Sequence, residues 1–320
     1  MLDLICPNCK SGLSRESGGA VCGRCGSIYE ESNGIIRFVK ADNFYEGRFG
    51  AGRGNTNNVL ELARKIYSAI AVSVEGLRVE HERLYKKLKS NKRKINVLDI
   101  GCGGGKTSLK PSVNYYVVGL DLSLSSLFNA KKIYDEVYCA SAFSMPFGDN
   151  TFDCVCSFDL MGHIPLEKKE LFISEVRRVL KLAGLTFHYI EVDSPKGYNN
   201  WAKKYPSLYQ RHFVDLEGHI GLEYYKNVMQ RFERNGFELL RHKGIAKFVL
   251  PPGEFSKRFN NEYKKKNALI KALALLDGLI ASNTMTKVLS GIMLKPFSLF
   301  LDPLISDDYS GLLYVAFKKE

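Results

Sequence analysis

Asn96 to Lys110 reads NVLDIGCGGGKTSLK, and this stretch decides the fold. The apolar run Ile95 to Ile100 carries one acid, Asp99, and ends in a loop with Gly101, Gly103, Gly104 and Gly105. A short apolar run that stops at glycines reads as a buried strand followed by a tight turn. Glycine permits left-handed backbone, and its missing Cβ lets the chain approach a nucleotide-like ligand closely.

Three loop patterns compete. A dinucleotide loop has the form G-x-G-x-x-G, but counting from Gly101 puts Lys106 in the third glycine place. A phosphate-cradling P-loop has the form G-x-x-x-x-G-K-[ST]; Lys106-Thr107 is present, but Gly101 and Gly105 stand one residue too close. D-x-G-x-G-x-G fits in full at Asp99, Gly101, Gly103 and Gly105. That pattern resembles motif I of the class I S-adenosylmethionine-dependent methyltransferases. The resemblance implies an α/β fold: a Rossmann-like, seven-stranded sheet with helices on both faces. It also implies S-adenosylmethionine as cofactor, with Asp99 near its amino-acid and ribose portion.

Downstream residues extend the resemblance. A second strand, Tyr115 to Leu120, ends in Asp121. A carboxylate at that point can accept both hydroxyls of a ribose, a role the family gives to Asp121, and its neighbour Leu122 is a further cofactor-binding candidate. The rival reading of Asp121 is a cap for the Leu122-Ser123 turn. Helix Leu124 to Ile133 and strand Glu136 to Cys139 follow. Ser141 to Asp153 then resembles the family's D-A-x-x-L-P-F-x-D-x-x-F-D segment, whose first acid bonds the adenine amino group. Ser141 replaces that acid and is a weaker, uncharged acceptor. Ala142 offers its backbone N–H and Phe143 its ring. The fourth strand, Phe152 to Phe158, leads to Asp159 and His163 at the carboxyl edge, where open α/β sheets bind ligands. Asp159 is expected to face cofactor or substrate. His163, with an ordinary pKa near ~6.5, is a candidate general base or a capping histidine.

Helix Leu166 to Lys181 ends in a turn resembling R-V-L-K-P-G-G, with Gly184 as the expected left-handed cap. Strand Leu185 to Val192 leads into an insertion at 194–221, which in this family commonly covers the acceptor. It holds Tyr198, Trp201, Tyr205, Tyr209, His212 and His219. The aromatics suit either stacking on a sugar or base or a satellite core. His212 and His219 are further candidate bases. Helix Leu222 to Asn235 stops at Gly236 before strand Phe237 to Lys243, and a last strand spans Leu312 to Phe317. Family topology makes that strand antiparallel, between strands five and six. The segment 246–310 between them carries two apolar helices, around Leu269 to Ile280 and Val288 to Leu301. They read as helical core, a substrate pocket, a dimer face or an amphipathic patch on a membrane.

Ahead of this domain, Cys6-Pro-Asn-Cys9 and Cys22-Gly-Arg-Cys25 form two C-x-x-C knuckles. Four thiolates in that register suit a closed tetrahedral zinc site with no open position for chemistry. A segment of about 40 residues buries little core, so a structural Zn²⁺ is a reasonable staple. The expected organisation is a zinc ribbon at 1–40, a linker and N-terminal helix at 41–92, and the methyltransferase domain at 93–320. Tyr45 and Arg48 in the linker are lid candidates, and Thr56 to Ser90 has helical periodicity. Cys102, Cys139, Cys154 and Cys156 read as small buried hydrophobes.

The formal net charge is +12, with a local basic run from Arg83 to Lys94. Such a run suits RNA, an anionic membrane surface, an acidic substrate or a solvated helix end. No apolar run reaches the ~18 residues of a membrane span, and the N-terminus lacks a signal-like pattern. The expected location is therefore cytoplasmic, with peripheral membrane contact as an extension. The resulting expectation is methyl transfer to a small-molecule, glycan or lipid-linked acceptor. Two alternatives stand beside it: an rRNA base methyltransferase, and a non-catalytic methyltransferase-like binding scaffold.

Overall fold

The computed structural model describes residues 2–40, 46, 94–106, 109, 111–196, 199–245, 247, 252–259 and 261–320. The lid candidates Tyr45 and Arg48, the helix expected over Thr56 to Ser90, and the basic run short of Lys94 lie outside them. Strand β5 (Ile95–Ile100) lies inside a seven-stranded sheet. It pairs in parallel with β6 (Tyr115–Asp121) on one side and β8 (Phe152–Phe158) on the other. Two neighbours satisfy both edges of its backbone, so a nearly unbroken apolar strand is stable there. The sheet continues through β7 (Glu136–Cys139) at one edge and β9 (Leu180–Glu191), β11 (Leu312–Lys319) and β10 (Phe237–Ile245) towards the other. β11 runs antiparallel between β9 and β10, as the family topology implied.

Alternation along β5 and β6 builds two cores. Leu98, Ile100, Val118 and Leu120 face one side, with helices Lys169–Val179 and Tyr225–Arg234. Ile95, Val97, Tyr115 and Val117 face the other, with helix Leu124–Ala130. This is the two-residue period of a strand with both faces covered. Cys102, Cys139, Cys154 and Cys156 are all buried in the second core.

Two local expectations need correction. The helix over Leu166 to Lys181 is a 3₁₀ turn, Leu166–Lys168, followed by an α-helix that ends at Val179. The chain passes straight into β9 at Leu180, and Ala183 takes the left-handed backbone (φ 58°) expected of Gly184. With Leu182-Ala183 in place of proline and glycine, nothing enforces the family's turn, and the backbone extends instead.

The cysteine segment forms its own four-stranded antiparallel sheet: β1 (Ser14–Glu16), β2 (Gly19–Val21), β3 (Ile28–Ser32) and β4 (Ile35–Ile36). It does not stand apart. Leu4, Tyr29, Ile36 and Phe38 join the first core with Tyr138 and Phe147. The Phe38 amide donates to Cys139 O at 2.7 Å, partly covering the exposed edge of β7. The Ile5 amide donates to Pro146 O at 3.1 Å, and Ser144 Oγ donates to Pro7 O at 2.8 Å.

Arg178 and Glu175 brace the same segment from behind. Arg178 forks onto both Glu175 oxygens at 2.6 and 2.8 Å and donates to Met145 O and Phe147 O. Glu175 accepts the Met145 amide at 2.7 Å. Burial pushes the Glu175 carboxyl up, but Arg178, the amide and Lys10 outweigh it, so its pKa lies below the usual range. A lowered folded pKa stabilises above the unfolded value of about 4.3, and that contribution fades as pH falls through the folded value. Glu175→Gln should cost about 1–3 kcal/mol at pH 7, with the difference from wild type shrinking below about pH 4, read by urea unfolding at both pH values.

Candidate functional site

The loop after β5 is held from beneath. Asp99 is fully buried and accepts the Tyr134 hydroxyl at 2.8 Å. Tyr134 Oη also accepts the Lys106 amide at 2.8 Å, while the Lys106 ammonium lies 3.5 Å from Asp99 and over the Phe158 ring. Burial, with Asp99 beside it, pushes the Tyr134 phenol far up, so it stays a donor. Lys106 therefore points inward onto an acid, which explains why a near P-loop pattern occurs without a phosphate-facing lysine. Tyr134 escaped the sequence reading because nothing local distinguishes it from an ordinary aromatic after a helix.

Gly101, Gly103 and Gly105 all have left-handed backbone, with φ of 66°, 53° and 83°. A Cβ at Gly101 would meet Leu160 Cδ1 at 2.9 Å, and one at Gly105 would meet Ala130 Cα at 3.1 Å. A Cβ at Gly103 would project into open space. Two glycines thus seat the loop on the protein, and the third leaves an uncovered crest. The Gly103 amide donates to Asp121 Oδ2 at 2.8 Å, and the Ser123 amide to Oδ1 at 2.9 Å. Burial raises the Asp121 pKa, although both amides oppose it. Each Asp121 oxygen keeps a further lone pair for a ribose hydroxyl. The residues present fit the adenosine end of S-adenosylmethionine: an open glycine crest with a carboxylate tied to it.

Glu46 adds an acid the sequence did not flag. Its carboxylate accepts the Leu124 and Ser125 amides and the Ser123 and Ser125 hydroxyls at the start of helix Leu124–Ala130. Burial works against its charge, but these donors outweigh it and hold the pKa below the usual range. Ser141 Oγ accepts the Phe143 amide at 3.2 Å, which shapes the Ser141-Ala142-Phe143 turn. That turn immediately precedes the ribbon contacts at Ser144 and Pro146. Leu122 O accepts from the Cys139 thiol at 3.5 Å.

The second cluster lies at the carboxyl ends of β8 and β9. Asp159 takes left-handed backbone (φ 58°), and its amide donates to Tyr189 O at 3.0 Å. This bends the chain into the 3₁₀ turn Met161–His163. His163 Nδ1 sits 3.0 Å from Gly218 O, and the Gly221 amide donates to Gly162 O at 2.9 Å. Gly221 leaves no room for a side chain, since a Cβ there would lie 1.7 Å from Ile164 O. These contacts, with the buried Lys169–Glu223 pair at 2.7 Å, carry His219 to His163 with ring centroids 5.0 Å apart. Glu191, the last residue of β9, pairs with His219 Nε2, and Arg258 stands 3.8 Å from its other oxygen. Burial lowers the His163 pKa, and the neighbouring His219 lowers it further.

His212 is not part of this cluster. Its Nε2 lies 3.2 Å from Glu262, beside Tyr263. Of the two roles open to the insertion's aromatics, the satellite core is the one the structure shows. Trp201, Tyr205, Tyr209, Phe213, Phe255, Phe259, Tyr263 and Ile270 form a separate satellite core joining the two insertions. Tyr198 lies outside the described residues. A 330 Å³ cleft lined by Asp149, Asn150, Arg177 and Arg178 opens at the amino end of β8, away from the glycine loop.

Residues 98–187 match the methyltransferase domain family. The chain is 28% identical over 190 residues to 24-methylenesterol C-methyltransferase 2 of Arabidopsis thaliana, covering 54% of this chain and 49% of that protein. It is 28% identical over 156 residues to norajmaline N-methyltransferase of Rauvolfia serpentina, covering 46% and 50%. Among solved structures it is similar to phosphoethanolamine N-methyltransferase 2 of Haemonchus contortus in complex with S-adenosyl-L-methionine. That likeness has a TM-score of 0.48 and 19% identity, and covers 88% of this chain and 60% of that one. The chain thus spans about half the length of the curated relatives it matches.

Tyr134→Phe should destabilise the fold by about 1–3 kcal/mol, because buried Asp99 loses a donor. It should also weaken S-adenosylmethionine binding severalfold. Asp121→Ala should weaken binding by at least about tenfold, since two ribose hydrogen bonds to a charged group disappear, and should cost about 1–3 kcal/mol of stability because the Gly103 and Ser123 amides lose their acceptor. Calorimetry and thermal unfolding of both variants separate the two effects.

Proposed function

From its S-adenosylmethionine-dependent methyltransferase domain, we propose that the chain methylates a small amphiphilic acceptor at an anionic bilayer surface. When bound, the cofactor supplies an activated methyl group, which passes in line to a nucleophilic atom of the acceptor. The chain's own contribution is to position the two reactants and exclude water. The glycine crest and Asp121 hold the cofactor, while His163, Glu191 and His219 mark the acceptor side. One relative is named for a sterol and another for norajmaline, which supports a small-molecule acceptor.

The observation that carries the bilayer reading is the exposed face of two helices, Ala268–Ala281 and Thr284–Leu301. Helical core was one expectation for them, but the first buries only Ile270 and Ala274. Leu275, Leu276, Leu279, Met285, Leu289, Met293, Phe297 and Phe300 are exposed, Leu279 and Phe300 at 71% and 74%. Leu304 beyond them is 81% exposed. Isolated apolar residues on a surface are ordinary, but this many along two consecutive helices mark an interaction face. Lys257, Lys265, Lys266 and Lys271 flank it and are exposed. Apolar residues bordered by lysines suit an anionic headgroup layer, where each cation near the surface contributes about 1 kcal/mol. Among the described residues no single helix is long and apolar enough to cross a membrane, and the helices bend by 113° between Ala281 and Met285. Together the pair has the length and composition of a bent span, and the flanking lysines are the reason for reading it as lying in the interface.

The ribbon is proposed to hold a structural Zn²⁺. The four ligand sulfurs of Cys6, Cys9, Cys22 and Cys25 lie within 4.8 Å of one another. Two of the separations are 3.4 and 3.6 Å. Tetrahedral zinc–sulfur bonds need about 3.8 Å between sulfurs, so the set fits with little movement. Because the ribbon contacts Ser144 and Pro146, the metal would stiffen the turn that precedes them.

Flotation with vesicles should recover the full chain with anionic phosphatidylglycerol but not with neutral phosphatidylcholine, and Leu279→Glu with Phe300→Glu should abolish recovery. A dimer in solution that ignores vesicles would reassign the face to self-association. Salt-sensitive binding and methylation of rRNA would replace the proposal with the nucleic-acid alternative. Chelation of the ribbon metal should lower both the melting temperature and S-adenosylmethionine affinity.

A further inference from the structure

We propose that His163, Glu191 and His219 form a binding site for one divalent transition-metal ion, distinct from the four-cysteine site. The three side chains each offer one ligand atom, and those atoms lie within 4.8 Å of one another. Nitrogen and oxygen ligands at about 2.0–2.2 Å from an ion stand about 3.0–4.2 Å apart, so shifts of about 1 Å complete the set. Two imidazoles and one carboxylate suit Zn²⁺, Fe²⁺ or Mn²⁺ and leave coordination positions open.

The surroundings of the histidines support this assignment independently. A metal-ligating histidine directs its other ring nitrogen to a carbonyl or carboxylate, which fixes the tautomer. His163 Nδ1 faces Gly218 O at 3.0 Å, and His219 Nδ1 faces Glu217 Oε2 at 3.5 Å. Both arrangements direct Nε2 towards the cluster centre. Glu191 Oε2 is buried and lies against His219 Nε2, so that ligand oxygen and ligand nitrogen already face each other, and a cation seated between them would bond both.

The three ligands come from three segments with separate causes. Glu191 ends β9, His163 closes the turn after β8, and His219 arrives through the Gly221–Gly162 and Lys169–Glu223 contacts. The convergence is at the carboxyl edge of the sheet, away from the cysteine ribbon at the β7 edge. Arg258, 3.8 Å from Glu191 Oε1, leaves Oε2 for the ion. An ion there has open positions for an oxygen or nitrogen of the acceptor. That role rests on the proposed methyltransferase reading, whereas the binding itself does not.

Mn²⁺ tests the site because it is a poor match for a four-thiolate centre and reports by electron paramagnetic resonance. The full chain with its ribbon zinc intact should bind one Mn²⁺, seen as loss of the free-ion signal. Glu191→Gln and His219→Ala should each weaken binding at least about tenfold, and His212→Ala should leave it unchanged. Glu191→Gln keeps the shape of the side chain and guards against misfolding of the histidine variant. Failure to bind either Mn²⁺ or added Zn²⁺ would overturn the proposal, as would binding that survives Glu191→Gln. Calorimetry with S-adenosylmethionine on the same samples separates this failure from failure of the methyltransferase reading.

Discussion

Asp99 is a carboxylate with no access to solvent, and that fact constrains the whole carboxyl edge of the sheet. A buried charge must be matched by donors. Tyr134 and Lys106 supply them, the first from the chain after helix Leu124–Ala130 and the second from the glycine loop itself. The loop cannot lift without exposing Lys106, and the chain before β7 cannot shift without losing the Tyr134 hydroxyl. Satisfaction of one acid thus fixes the backbone on which Gly103 and Asp121 meet.

The same logic recurs on a larger scale around Ser141 to Phe147. Its inner side is tied to Arg178 and Glu175 on helix Lys169–Val179, and its outer side to the ribbon through Pro7, Ile5 and Leu4. The ribbon therefore belongs to the cofactor side of the molecule rather than forming a detached module. Bracing on both sides holds the backbone groups of the Ser141 to Phe143 turn in fixed positions. Glu46 extends the enclosure by capping the helix that follows Asp121.

Much of this was legible from residue order. The strands were readable because sheet burial on both faces leaves unbroken apolar runs, as in Phe152 to Phe158. The glycine pattern and Asp121 were readable because left-handed backbone and strand ends leave local signatures. What was not legible depends on long-range contact. Tyr134, Glu175 and Arg178 act through partners far along the chain, and Glu46 through a helix about 80 residues away. Glu191 looked like any polar residue closing a strand. Its position at the carboxyl edge was the available clue, and only the fold brings it to His219. His212 and His219 were indistinguishable by spacing, and their separation follows from their partners: His212 meets Glu262 of the second insertion, and His219 meets Glu191 at the end of β9. The aromatics of 194–221 suited either stacking on a ligand or a satellite core, and Trp201, Tyr205 and Tyr209 take the second role.

The two insertions share an aromatic core on one side and present leucine, methionine and phenylalanine on the other. Such a surface is costly in water unless something covers it. The most direct measurement is the fate of the methyl group. The protein is incubated with methyl-labelled S-adenosylmethionine and whole-cell extract, which is then separated into organic, aqueous and nucleic-acid fractions. The account predicts protein-dependent label in the organic fraction, lost in Asp121→Ala. Label confined to RNA, or no transfer to any fraction, would contradict it.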